Sequence, residues 1–292
     1  MGIRMGTPKF GTAGAGELFY EKGGKHSYEV PAFLQTMNLQ AFEYQCGRGV
    51  NMGEEKARLL GEKAKACEVA LSIHAPYYIS LAVEEEERRQ KNAGYFLQSA
   101  GLAKAMGAER IVFHPGGVAK MTREKALALA IETLRPILKE LNDAGFGEII
   151  FCPETMGKIN QLGDLSETLS LCKLQENMLP CIDFGHLNAR TGGGLKTIDD
   201  YARIFTQIEN ELGAGKAARI HCHFSKIEYS QGGEKKHLTF ADTVFGPDYE
   251  PLMELLYKKN YAPVIICESD GTQAEDAAAM RAEYEKWATK LL

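Results

Sequence analysis

The sequence predicts a single (β/α)8 barrel spanning residues 1–292, and three observations predict it. Eight short runs rich in Ile, Val, Phe and Cys alternate with eight segments of helical periodicity, the pattern of a parallel sheet wrapped by helices. No linker-like Pro/Gly/Ser stretch divides them, so no domain boundary is expected. Histidines and carboxylates recur at the downstream end of the runs, where barrels of this kind gather their functional groups.

The runs in order are PKFGTAG (8–14), AFEYQCG (41–47), LSIHAP (71–76), RIVFHPG (110–116), EIIFCPET (148–155), LPCIDFGH (179–186), ARIHCHFSK (218–226) and APVIICES (262–269). Strands are expected to start near Pro8, Ala41, Ala70, Arg110, Glu148, Leu179, Ala218 and Ala262. The helical segments are 27–37, 53–67, 85–106, 122–143, 164–174, 197–212, 248–259 and 273–291. Thr197 and Thr122 read as N-caps with acidic residues in the turn that follows, and Gly107 and Gly213 as C-terminal stops. Residues 187–196 and 227–245 read as long glycine-containing loops at the ligand end, and loops of that length are usually functional.

A chain of 292 residues with 45% hydrophobic content can bury a sizeable core. It has no charged-then-apolar leader and no apolar run near the ~20 residues that span a bilayer, so a cytoplasmic location is expected. Seven cysteines without CxxC spacing argue for a reducing compartment and against a disulfide framework. Cys152 and Cys181 precede Glu154 and Asp183 by two residues and share their strand face; they are expected to be small apolar fillers, with metal ligation the alternative. The net charge of −5 excludes a global basic field for a polyanion. Arg48, Lys120, Lys158, Arg190, Lys226, Lys235 and Lys236 lie on ligand-end loops and could make a local positive mouth.

The strand-end residues are His74, His114, Glu154, Asp183 with His186, His221 with His223, and Glu268. Imidazole and carboxylate together are the ligand set of zinc and its first-row neighbours. Carboxylates at the ends of apolar strands would be costly without a cation, which makes a metal site the expectation. His221 and His223 are two residues apart and share a strand face, so both ligate or one supports the other.

The motifs IHAPYYISLA, VFHPGG, PETMGK, CIDFGH, RIHCHFSK and IICES, in this order over about four-fifths of the chain, resemble the endonuclease IV family of apurinic/apyrimidinic endonucleases, within the xylose-isomerase-like barrels. The resemblance implies a barrel with three zinc ions that cleaves DNA on the 5′ side of abasic sites in base excision repair, water activated at the metals attacking phosphorus. It implies His74 and His114 as ligands of a first zinc and Glu154 as a bridge to a second. Asp183, His221 and Glu268 would complete the second, and His186 and His237 would bind a third. Glu154 and Glu268 are the candidate catalytic carboxylates. Two or three zinc ions are expected, manganese being the alternative, in a monomer acting on abasic DNA. Tyr77 would stack in or beside the abasic gap or form the rim with Tyr78, and Arg48, Lys226, Lys235 and Lys236 would bind phosphates.

Two departures stand out. Where the family has Asp-x-His, this chain has Lys235-Lys236-His237, so the third site needs His223 or Glu234. The loop after the second strand, Cys46-Gly-Arg-Gly-Val-Asn-Met, offers only Arg48 for DNA. The rival reading is a single-metal sugar isomerase or epimerase using Glu154, Asp183, His221 and Glu268, with the two glutamates exchanging protons with a sugar carbon.

Overall fold

In a computed structural model, which describes residues 6–289, eight parallel strands form the barrel: β1 (Lys9–Ala13), β2 (Ala41–Gln45), β3 (Ala70–His74), β4 (Arg110–Phe113), β5 (Ile150–Pro153), β6 (Cys181–Asp183), β7 (His221–Phe224) and, after a two-stranded hairpin of β8 (Lys226–Ser230) and β9 (Gly233–Leu238), β10 (Val264–Cys267). Their hydrogen-bonded order is β5-β4-β3-β2-β1-β10-β7-β6. The ring closes between β5 and β6 through the parallel bridge Glu154↔Cys181, reinforced by Thr155 N–H donating to Cys181 O at 3.0 Å. Every strand begins within three residues of its expected start, and the helices that follow lie on the expected segments; the expected end of the last helix, at 291, lies outside the described residues.

Strand side chains alternate between two environments because the strand period is two. Phe42, Ile73, Phe113, Phe151, Ile182, Phe224 and Ile265 face outward and pack with the helices in one large core. Val112, Cys152, Leu179 and Cys181 form a small separate apolar cluster. Glu43, Ser72, His74, Asp183, His221 and His223 are buried polar residues of the strands, an unusual content for a core without a chemical purpose.

Three local features differ from the expected loops. A short helix, Phe184–Arg190, follows β6 at once, capped by Asp183, whose Oδ1 accepts from His186 N–H at 2.7 Å. The segment after β7, expected as a loop, begins with the β8–β9 hairpin, and a further short helix precedes β2 at Glu17–Glu21. Among the described residues, no helix is long and apolar enough to cross a membrane.

Candidate metal centre

Glu154, immediately after β5 and only 1% exposed, is the hub. Its Oε2 lies 3.2 Å from His74 Nε2 and 3.0 Å from His114 Nε2. Its Oε1 lies 3.1 Å from His223 Nδ1 and 3.4 Å from His186 Nδ1. One oxygen therefore serves one pair of histidines and the other serves a different pair. Burial pushes the Glu154 carboxyl up, but the surrounding imidazoles, His223 foremost, outweigh it and hold it well below the usual carboxylate range.

Ring orientations are set by carbonyls, which only accept. His74 Nδ1–H donates to Ala75 O and His186 Nδ1–H to Thr155 O, each at 2.9 Å. Their Nε2 atoms then turn toward Glu154 (3.2 Å) and Glu234 (3.4 Å). A neutral imidazole so oriented puts a lone pair opposite a carboxylate oxygen, two acceptors face to face. Only a proton or a cation between them makes the contact favourable.

Ligand atoms gather within 4.8 Å of one another in four groups: His74, His114 and Glu154; Glu154, Asp183, His223 and Glu268; His186, Glu234 and His237; and, deeper, Cys181, His221 and His223. The donor set fits a first-row metal. Tetrahedral ligands at about 2.0–2.1 Å from an ion stand about 3.3 Å apart, and the closest histidine–carboxylate contacts within these groups run from 3.0 Å to 3.5 Å. Asp183 Oδ2 adds a second sign: it is buried with no hydrogen-bond partner, while Oδ1 is consumed by the helix cap. The first and third groups open onto a cavity of about 260 Å³ lined also by Tyr77, Lys158 and Glu268.

Several sequence expectations shift. His223, not His221, stands with Glu154, Asp183 and Glu268; His221, the first residue of β7, lies deeper, and its Nε2–H donates to Glu43 at 2.9 Å. Of the two substitutes for the missing aspartate, Glu234 joins His186 and His237, and His223 belongs elsewhere. The reason is a register shift in the hairpin: Glu228 pairs with Lys236 but Tyr229 pairs with Glu234, so Lys235 is the extra residue. One extra residue inverts strand parity and brings Glu234, three positions before His237, onto the histidine's face.

Among the cations expected to meet phosphate, Lys226 is 8% exposed, its Nζ 2.7 Å from Asp242 O and 3.1 Å from Asp248 Oδ1. Lys235 and Lys236 pair with Glu228 on the neighbouring strand. Arg190 is spent on the loop after β5, donating to Met156 O at 3.1 Å and Lys158 O at 2.8 Å. Lys120, Lys158 and Arg48 remain exposed, Arg48 beside the Tyr77 hydroxyl. Tyr77 and Tyr78 are each 48% exposed, with ring centroids 4.4 Å apart. Cys152 and Cys181 are wholly buried in the small apolar cluster.

Glu43 escaped the sequence reading. It lies mid-strand in β2, wholly buried, and contacts both β7 histidines. An acidic residue inside an otherwise apolar run was the available signal.

A family model described as a xylose isomerase-like TIM barrel matches residues 31–290. A relative from Methanocaldococcus jannaschii, itself named an uncharacterized protein, is 32% identical over 94% of this chain and 97% of its own. A probable endonuclease 4 from Mycoplasma pneumoniae is 25% identical over 80% of this chain and 79% of its own. Among solved structures, endonuclease IV from Thermus thermophilus aligns with a TM-score of 0.64 at 18% identity, covering 98% of this chain and 100% of that one. A D-tagatose 3-epimerase-like protein aligns with a TM-score of 0.71 at 21% identity, covering 97% and 100%. These two structural likenesses establish the shared barrel.

Proposed function

Because the chain belongs to the xylose isomerase-like TIM barrel family, we propose that it is a metal-dependent phosphodiesterase that cleaves DNA at abasic sites, acting as a cytoplasmic monomer in base excision repair. The observation that carries this reading is the set of three adjoining ligand groups, two of them sharing Glu154. A one-metal isomerase has no use for His74, His114, His186 and His237. Relatives named probable endonuclease 4 support the same direction.

His74, His114 and Glu154 would hold one ion, Glu154, Asp183, His223 and Glu268 a second, and His186, Glu234 and His237 a third. An imidazole-rich set with carboxylates suits zinc, with manganese the alternative. When bound, the ions would make water a nucleophile near neutral pH and neutralise charge on the phosphoryl group. The remaining work falls to the chain. Glu154, immediately after β5, and Glu268, immediately after β10, would orient the reacting water. Tyr77 offers an exposed ring at the mouth for a gap in the base stack, with Arg48 beside it and Lys158 lining the same cavity for phosphates.

A second reading keeps one specific support: Glu154, Asp183, His223 and Glu268 form a complete four-ligand group with two glutamates, sufficient for a single-metal epimerase. One assay separates them. Zinc-loaded protein should nick a duplex carrying one abasic-site analogue, lose that activity to a chelator, and contain two to three metal ions. Turnover of a ketose by a protein with one ion, and no nicking, would transfer the assignment to the epimerase.

A further inference from the structure

Glu43 is wholly buried, below the metal centre, and both its oxygens face polar partners. Oε2 receives Ser72 Oγ–H at 2.8 Å and His221 Nε2–H at 2.9 Å. Oε1 receives Gln45 Nε2–H at 3.2 Å and lies 3.0 Å from His223 Nε2. That last nitrogen is buried and makes no aligned hydrogen bond, with Glu43 the carboxylate it faces, whereas the other ring nitrogen, Nδ1, is aligned with Glu154 Oε1 at 3.1 Å. An ionised carboxylate only accepts, so each partner must present a hydrogen to it. By the same rule both ring nitrogens of His223 carry a hydrogen while no ion is bound; an ion in the group of Glu154, Asp183 and Glu268 would take the place of the one on Nδ1, which lies 3.1 Å from Glu154 Oε1 and 3.5 Å from Glu268 Oε1, and would leave the one on Nε2 facing Glu43.

We propose that Glu43 is a positioning residue that fixes His223 in the Nε2–H form, so that Nδ1 is presented to the ion held with Glu154, Asp183 and Glu268. Its second oxygen holds His221, which braces the carboxylate from the layer below instead of ligating. The inference rests on the reading of that group as a metal site; it does not depend on the substrate. It also assigns the deeper group of Cys181, His221 and His223 to bracing the centre, since the Nε2 atoms of both histidines face Glu43.

The test is made on the whole zinc-loaded chain. Nitrogen-labelled histidine NMR should find His223 protonated at Nε2 and metal-bound at Nδ1. Glu43→Ala should weaken zinc at this site by about 10–100-fold in chelator competition, the usual cost of losing a carboxylate behind a ligating histidine. Zinc held by His186, Glu234 and His237 should be retained, and Glu43→Gln, which keeps one accepting oxygen, should fall between. Metal on Nε2 of His223, a Cys181 thiolate in the cobalt-substituted spectrum, or unchanged affinity in Glu43→Ala would each overturn the assignment. If the variants do not fold, the wild-type tautomer still decides. Zinc bound through Nδ1 in a protein that leaves abasic DNA intact would sink the nuclease reading and leave this one standing.

Discussion

Glu154 directs its two oxygens to different histidines, Oε2 to His74 and His114 and Oε1 to His223. Glu154→Gln replaces one accepting oxygen by a donor, so whichever way the amide turns, one group loses a ligand. Nicking should fall further than the about 10–100-fold expected for a supporting residue, and metal content should drop by at least one ion per chain; wild-type occupancy would remove Glu154 from its bridging place. The same contacts give the metal-free protein a pH signature. Burial pushes the His74 imidazole down, but its hydrogen bond to Glu154 and the charges of Glu154 and Glu43 raise it from 6.5 to about 9. The folded state then holds a proton that the unfolded chain releases. This stabilisation is complete below about pH 6.5 and is lost as pH rises through about 9. Melting temperatures of chelated protein should decline across that window, whereas zinc, which displaces the proton, should flatten the profile. At this scale the sequence was informative for residues at strand ends, such as His74, His114 and Glu154. It could not rank His221 against His223, because a period of two gives both the same face and says nothing about depth along the barrel axis. Glu43 was hidden for the same reason, being placed mid-strand.

The β8–β9 hairpin carries Glu234 and His237, and its position depends on contact with the loop after β5. Glu234 N–H donates to Gly157 O at 3.2 Å and Ile159 N–H to Gly232 O at 3.1 Å. A Cβ on Gly157 would stand 2.6 Å from Glu234 Cβ and 3.0 Å from His186 Cδ2. Gly157→Ala should therefore push the hairpin outward and weaken the group of His186, Glu234 and His237, leaving the other two groups loaded. Graded chelation with metal counting would show one ion leaving at a lower chelator concentration than in the wild type; an unchanged release profile would show that the hairpin does not set that group. Lys235→Ala should leave metal content unchanged, since Lys235 pairs with Glu228, which belongs to none of the ligand groups. The hairpin was illegible in the sequence because KIEYS alternates, with Ile227 and Tyr229 two apart, but its partner GEKKHL has no apolar residue before Leu238 and so signals no second strand. It is held by docking, since an isolated two-stranded ribbon is marginal on its own.

For the molecule as a whole, the order of strands and helices was readable because eight periodic pairs leave little freedom, but the weak point of the ring was not. Strand ladders join seven of the eight neighbouring pairs, and the eighth contact, β5 to β6, is a single bridge at Glu154↔Cys181 beside the Thr155–Asp183 contacts. Glu154 and Asp183, on opposite sides of that seam, belong to the same ligand group. An ion there would clamp the ring where backbone pairing is thinnest. Because it binds the folded chain and not the unfolded one, zinc at about 100 times its dissociation constant should add about 2.7 kcal/mol of stability. The gain should also be local. Hydrogen exchange on the zinc-loaded and chelated protein should differ most at the Thr155 and Asp183 amides, which bond to Cys181 O at 3.0 Å and Thr155 Oγ1 at 2.9 Å. The ladders from β1 to β3, remote from the seam, should exchange alike in both states. Equal loss of protection around the whole ring on chelation would mean that metal stabilises the barrel globally and that the seam is no weaker than the other junctions.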